Sequence, residues 1–147
     1  MDVLNFDNLE RIYSHASGVY PEECCGFVFA DGTIHLGTNI QNELNQRNPD
    51  TYKRNAANGY TFSVLGTVAL NKSFRSDNPA VVIYHSHPDV GAYFSTEDRD
   101  KALFQGTPIY PVKYLVVDVQ EGLVHESKLF EWSSPDFKCT KIFKAQN

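Results

Sequence analysis

The run Ala80-Val81-Val82-Ile83-Tyr84-His85-Ser86-His87-Pro88 decides how the rest of the chain is read. Residues 80–84 are apolar at every position, the pattern of a central strand buried on both faces. In an extended chain, residues i and i+2 point to the same side. His85 and His87 therefore present two imidazoles to one point in space. After seven intervening residues, Ser95-Thr96-Glu97-Asp98 opens a helical pattern. Two histidines, a carboxylate from the first turn of the next helix and an open position describe a catalytic zinc site. Ser95-x-x-Asp98 also reads as a capping box, in which serine accepts from a backbone N–H and the acidic residue answers it. The readings are compatible if the Ser95 backbone starts the helix while Asp98 points toward the histidines.

Working outward, Phe6, Leu9, Ile12, Tyr13 and Ala16 follow helical spacing, which predicts a helix over about 6–17 with Asn5 or Asp7 as cap. His15 on it reads as a solvated or packed helix residue. Residues 25–30 and 33–38 form two short strands around an Asp31-Gly32 hairpin turn. Just before them stand Glu22 and Glu23. Isolated carboxylates are costly to bury, so these residues taken alone are expected in solvent. Residues 39–60 are polar and turn-rich, and so long a connection without periodicity reads as a surface loop or a substrate-facing flap. Tyr60-Thr61-Phe62 reads as a short strand, and a second helix is expected over about 63–75.

The strand over 80–85 gives way to a loop at Pro88, and a third helix spans about 95–105, stopped by Gly106 and Pro108. Strands follow at 114–119 and 123–131, and Phe137 to Phe143 is a candidate edge strand. The expectation is one domain over 1–147: a mixed α/β fold of the α+β type, with a central, largely antiparallel sheet flanked by helices.

The 147 residues are 41% hydrophobic and 21% charged, ordinary for a globular protein with a proper core. Thirteen Lys and Arg against 18 Asp and Glu give a formal charge of −5. That balance speaks against nucleic acid as a partner and against docking on anionic lipid. No apolar run reaches the ~18 residues of a membrane span, and the N-terminus lacks the pattern of a signal peptide. Cys24, Cys25 and Cys139 are an odd count with two adjacent, a poor disulfide framework. The cytoplasm is the expected compartment. Cys24 and Cys25 read as small buried hydrophobes.

His85-Ser86-His87, the seven-residue spacing and Ser95-Thr96-Glu97-Asp98 together resemble the JAMM (MPN-plus, or JAB-domain) metalloprotease motif. Pro21-Glu22-Glu23-Cys24-Cys25-Gly26 resembles the Pro-x-Glu-x-Cys-Gly signature of its compact prokaryotic members. The resemblance spans about residues 5–132 and implies a cytidine-deaminase-like JAMM/MPN architecture. It implies that His85, His87 and Asp98 bind zinc, with water in the fourth place. Glu23, third in the signature, is implied as general base ahead of Glu22, and Ser95 as hydrogen-bond donor to the oxyanion. Ser86, between the ligands, is expected either to support them from behind or to orient the backbone. The implied activity is zinc-dependent hydrolysis of a peptide or isopeptide bond, deubiquitinase-like, at the flexible C-terminal tail of a ubiquitin-like or sulfur-carrier protein. The alternatives are a peptidase of the phage tail-tip type and a non-catalytic MPN scaffold module. Tyr93, Phe94 and residues 39–60 are candidate walls for the substrate tail.

Overall fold

A computed structural model describes residues 2–146. Its frame is a six-stranded mixed sheet in the order β2-β1-β3-β6-β7-β8. The strands are β1 (Cys25–Phe29), β2 (Ile34–Leu36), β3 (Ala80–Pro88), β6 (Lys113–Gln120), β7 (Leu123–Ser133) and β8 (Asp136–Lys144). β4 (Leu103–Phe104) and β5 (Thr107–Pro108) form a small separate hairpin. Among the described residues the helices are α1 (Phe6–Val19), α2 (Gln41–Arg47), α3 (Val64–Ser73) and α4 (Thr96–Ala102). Only β3 and β6 run parallel, so the sheet is largely antiparallel as expected.

Alternation along β3 divides the interior into two cores. Val82 and Tyr84 face α1, packing with Ile12, Ala16, Val28, Leu115 and Val117. Ile83 faces the other way, toward Phe27, Leu70, Ala102, Tyr114 and Val116. The apolar run is thus buried on both faces because β3 lies in mid-sheet, with β1 and β6 as its neighbours. Asn5 caps α1, its side chain accepting from the Asn8 backbone N–H at 3.0 Å.

Three expectations need correction. β3 does not end at His85 but runs through Pro88, because its pairing with β6 continues to Pro88 opposite Val119. The third helix ends at Ala102, and the β4–β5 hairpin takes up the residues expected as its last turn. Residues 39–60 hold a helix, α2, and Tyr60-Thr61-Phe62 forms only an isolated bridge, Phe62 to Asn39. This segment is also tied down. Asn39 donates to the carbonyls of Glu23 and Gly59, both at 3.0 Å. Its carbonyl oxygen accepts from the backbone of Gln41 at 3.0 Å and of Thr61 at 3.1 Å. No apolar periodicity marks α2, since its stability comes from such polar contacts rather than from a buried stripe.

Candidate metal centre

The centre lies at the C-terminal end of β3, on the face shared with Ile83. Strand register assembles half of it. In the antiparallel β1–β3 pair, Cys25 lies opposite His85. Two residues back along β1 and two forward along β3 bring Glu23 beside His87, on the same side of the sheet. Ser86, facing the opposite side, holds this junction. Its Oγ accepts from the Cys24 backbone N–H at 2.8 Å, and its own N–H donates to the Cys24 carbonyl at 3.2 Å.

α4 brings the rest. Its capping box is complete: Ser95 Oγ accepts from the Asp98 N–H, and Asp98 Oδ2 accepts from the Ser95 N–H, both at 3.0 Å. The same carboxylate faces the histidines, with Oδ1 3.1 Å from His85 Nε2 and Oδ2 3.2 Å from His87 Nε2. The two Nε2 atoms are 3.1 Å apart. A tetrahedral ion with ligands at about 2.0–2.1 Å needs ligand atoms about 3.3 Å from one another, so the observed spacing fits zinc. The chemistry of the donors fits too. His87 Nδ1 gives its proton to the Gly91 carbonyl at 3.0 Å, so in the neutral ring Nε2 is the nitrogen left to bind a metal. Lone-pair atoms this close repel one another unless a cation or a shared proton lies between them.

Burial sets the charges. His85 is fully enclosed, and burial lowers its pKa against the pull of Asp98, favouring the neutral imidazole that a metal requires. Burial alone would raise the Asp98 carboxyl, but the charges and hydrogen bonds of His85 and His87 outweigh it and hold it well below the usual carboxylate range. For His87, burial is outweighed by Asp98, Glu23 and the Gly91 carbonyl, and its pKa rises. Glu23 is 6% exposed, and burial pushes its carboxyl up to about 7, with His87 opposing and Asp98 adding. A Glu23 carboxylate oxygen and one nitrogen from each of His85 and His87 lie within 4.8 Å of one another. That group is a candidate ligand set in its own right. The Asp98 oxygens, at 3.1–3.2 Å from the two Nε2 atoms, make a second candidate set with the same histidines. Glu22 points away, its carboxylate accepting from Asn42 Nδ2 at 3.0 Å on the exposed surface.

A cleft opens over the centre, lined by Glu23, Arg54, Tyr60, His87, Tyr93, Ser95, Asp98 and Lys101 among others. The five residues singled out in the sequence, Glu23, His85, His87, Ser95 and Asp98, all converge on this place. Tyr93 stands at its wall, edge-on to His87 with centroids 5.0 Å apart. Phe94 does not line it. It turns into the second core against Tyr114, Phe130 and Phe137. Arg54, Tyr60 and Lys101 carry no motif that marks them in the sequence. The Arg54 guanidinium pairs with Glu97 across the cleft mouth, joining residues 39–60 to α4. Cys24 and Cys25 are buried free thiols, and burial pushes the Cys24 thiol up to about 12, so neither is poised as a nucleophile.

Two solved structures share this fold. A protein of Desulfitobacterium hafniense, solved in solution, is 16% identical with a TM-score of 0.64, covering 93% of this chain and 88% of that one. A protein of Salinibacter ruber, also a solution structure, is 24% identical with a TM-score of 0.57, covering 96% and 90%. Curated proteins gave no match. A family model of prokaryotic homologs of the JAB domain matches residues 7–133. No described helix is long and apolar enough to cross a membrane.

Proposed function

The chain belongs to the family of prokaryotic homologs of the JAB domain, and from that premise we propose that it is a zinc-dependent hydrolase of peptide or isopeptide bonds. The observation that carries this reading is the convergence of His85, His87 and Asp98 at 3.1–3.2 Å beside a buried glutamate. His85, His87 and Asp98 would hold the ion. Bound there, zinc would supply a water acidified to a pKa of about 7 and polarisation of the scissile carbonyl. Glu23 takes the proton from the attacking water and delivers it to the leaving amine, a role worth about 10²–10⁴-fold. Ser95 Oγ already accepts from the Asp98 N–H, so its own proton is free to donate to the oxyanion. His87 stays oriented through the Gly91 carbonyl.

The substrate that fits best is a flexible C-terminal tail of a ubiquitin-like or sulfur-carrier protein. The cleft over the centre, walled by Tyr93 and Tyr60, offers aromatic surface against which an extended tail can lie. The test is cleavage of tail-extended ubiquitin-like and sulfur-carrier fusions, with zinc content measured on the same samples and the new C-terminus read by mass spectrometry. Glu23→Gln should keep zinc and lose about 10²–10⁴-fold in rate. His87→Ala should lose both. Normal cleavage by Glu23→Gln would remove Glu23 as the base.

A further inference from the structure

A metal-binding histidine ordinarily donates its second ring N–H to a carbonyl or carboxylate, which fixes the ring and its tautomer. His87 does this through Gly91. His85 does not. Its Nδ1 is buried and has no hydrogen-bond partner among the described residues, although the residue is wholly enclosed. What meets the His85 ring instead is an aromatic face. Tyr60 stacks on it with centroids 4.7 Å apart and planes 26° from parallel. Tyr60 is held in turn. The Lys101 ammonium sits 4.1 Å from the centre of the Tyr60 ring and donates to the Tyr60 backbone carbonyl. The Lys101 side chain as a whole is exposed, yet its charged end turns inward, the reverse of the usual snorkelling lysine. An ammonium is drawn to the face of an aromatic ring, and this one gains a carbonyl as well. Lys101 stands one turn beyond Asp98 on α4, so the helix that carries one candidate ligand also anchors the ring against another.

We propose that Tyr60, anchored by Lys101, is a positioning residue that orients the His85 imidazole through its ring face, the part played for His87 by the Gly91 carbonyl. This rests on the metal reading of the site. A tyrosine that merely fills space would, when replaced, change stability but not the ligand geometry of a protein that still folds.

The test is zinc affinity, measured by competition with a chromophoric chelator, together with the visible absorption of the Co²⁺-loaded protein, which reports ligand geometry. Tyr60→Phe keeps the ring and should bind within about twofold of wild type, whereas Tyr60→Leu should bind about 10–100-fold more weakly, the usual effect of losing an orienting partner. The cobalt spectrum should change in Tyr60→Leu and not in Tyr60→Phe. Lys101→Met should shift affinity and spectrum in the same direction as Tyr60→Leu, by less. Tyr60→Leu that folds, binds zinc as wild type does and gives the wild-type cobalt spectrum overturns the inference. Should Tyr60→Leu not fold, Lys101→Met decides, and wild-type affinity and spectrum there overturn it equally. Wild-type protein that takes up no zinc overturns the metal reading and this inference with it, an outcome distinct from the other two.

Discussion

Gly26, one residue into β1, is expected to tolerate no side chain at all, and alanine is the cleanest test. A Cβ built there would lie 2.5 Å from the His35 carbonyl oxygen and closer still to the Tyr84 hydroxyl and ring. Neither neighbour can yield cheaply. His35 sits in β2, paired with Phe27, so moving its carbonyl strains the ladder. Tyr84 is 0% exposed, and its hydroxyl is held by His15 Nδ1 at 2.7 Å. Forcing extra volume into a packed core costs about 1–3 kcal/mol. Displacing the Tyr84 hydroxyl adds about 1 kcal/mol for the lost hydrogen bond. Removing a glycine from a strand returns about 0.5–1 kcal/mol through the unfolded state. The net expectation is about 1–3.5 kcal/mol of destabilisation, set against a stability of about 5–15 kcal/mol.

Urea unfolding of wild type and Gly26→Ala should show a lower midpoint at an unchanged m-value. The thermal midpoint should fall by roughly 2–14 °C for a chain of this size. Tyr84→Leu, combined with Gly26→Ala, should make the alanine cheaper than it is alone, because the ring is one of the two obstacles. A Gly26→Ala protein within about 0.5 kcal/mol of wild type would refute the steric reasoning, since that is the scatter of ordinary surface changes. If the reasoning holds, the glycine of the Pro-x-Glu-x-Cys-Gly signature serves packing beneath the centre, on the sheet face opposite His85.

Two further outcomes follow from side chains outside the centre. His15 is half-buried and burial lowers its pKa, so the folded state disfavours its proton while the unfolded chain accepts one near the ordinary 6.5. Stability is therefore complete above pH 6.5 and lost as the pH falls below it, by no more than about 1.4 kcal/mol per pH unit, the limit for one proton. In chelated samples, His15→Gln should lose less stability between pH 7.5 and 5.5 than wild type, and equal losses in urea titrations would sink the idea. Asn39→Ala removes four hydrogen bonds, one to the Glu23 carbonyl and three within residues 39–61, and should cost about 2–4 kcal/mol. A midpoint unmoved in Asn39→Ala would mean that the segment is held by something else.

What could be read from the chain without coordinates depended on the range of the interaction. The apolar run 80–84 announces a central strand because burial on both faces leaves no polar position to alternate. His85 and His87 share a face by the geometry of any strand, and Ser95 with Asp98 mark a helix start by local hydrogen bonding. Glu23 is different. Its neighbours argue for solvent, and only the family resemblance pointed to it. Its place beside His87 comes from the register of β1 on β3, which no local pattern encodes. Lys101 carries no mark in the sequence, and within residues 39–60, expected as a wall, nothing singles out Arg54 or Tyr60, because their contacts to α4 and His85 cross long sequence gaps. Helix α2 escaped because periodicity detects buried stripes, and its only buried residue is the polar Gln41. Tyr93 and Phe94 looked equivalent in sequence, yet adjacent residues leave the chain in different directions, and only Tyr93 faces the cleft.

Asp98 shows why a helix cap and a candidate metal ligand need not compete. Oδ2 accepts from the Ser95 N–H while facing His87, and Oδ1 faces His85. The cap thereby fixes the torsions of the side chain, so the carboxylate is set at its place before any ion arrives. A preorganised ligand loses less conformational entropy on binding than a free one. The dependence also runs the other way. α4 has seven residues, too few to persist as an isolated helix, and its start is defined by a carboxylate that the histidines hold ionised. Neutralising that carboxylate by Asp98→Asn would disturb both at once: the amide keeps one acceptor oxygen but cannot serve the cap and both imidazoles together. The geometry of the centre and the local order of α4 are therefore one property of the chain, built on a single side chain with two oxygens and three partners.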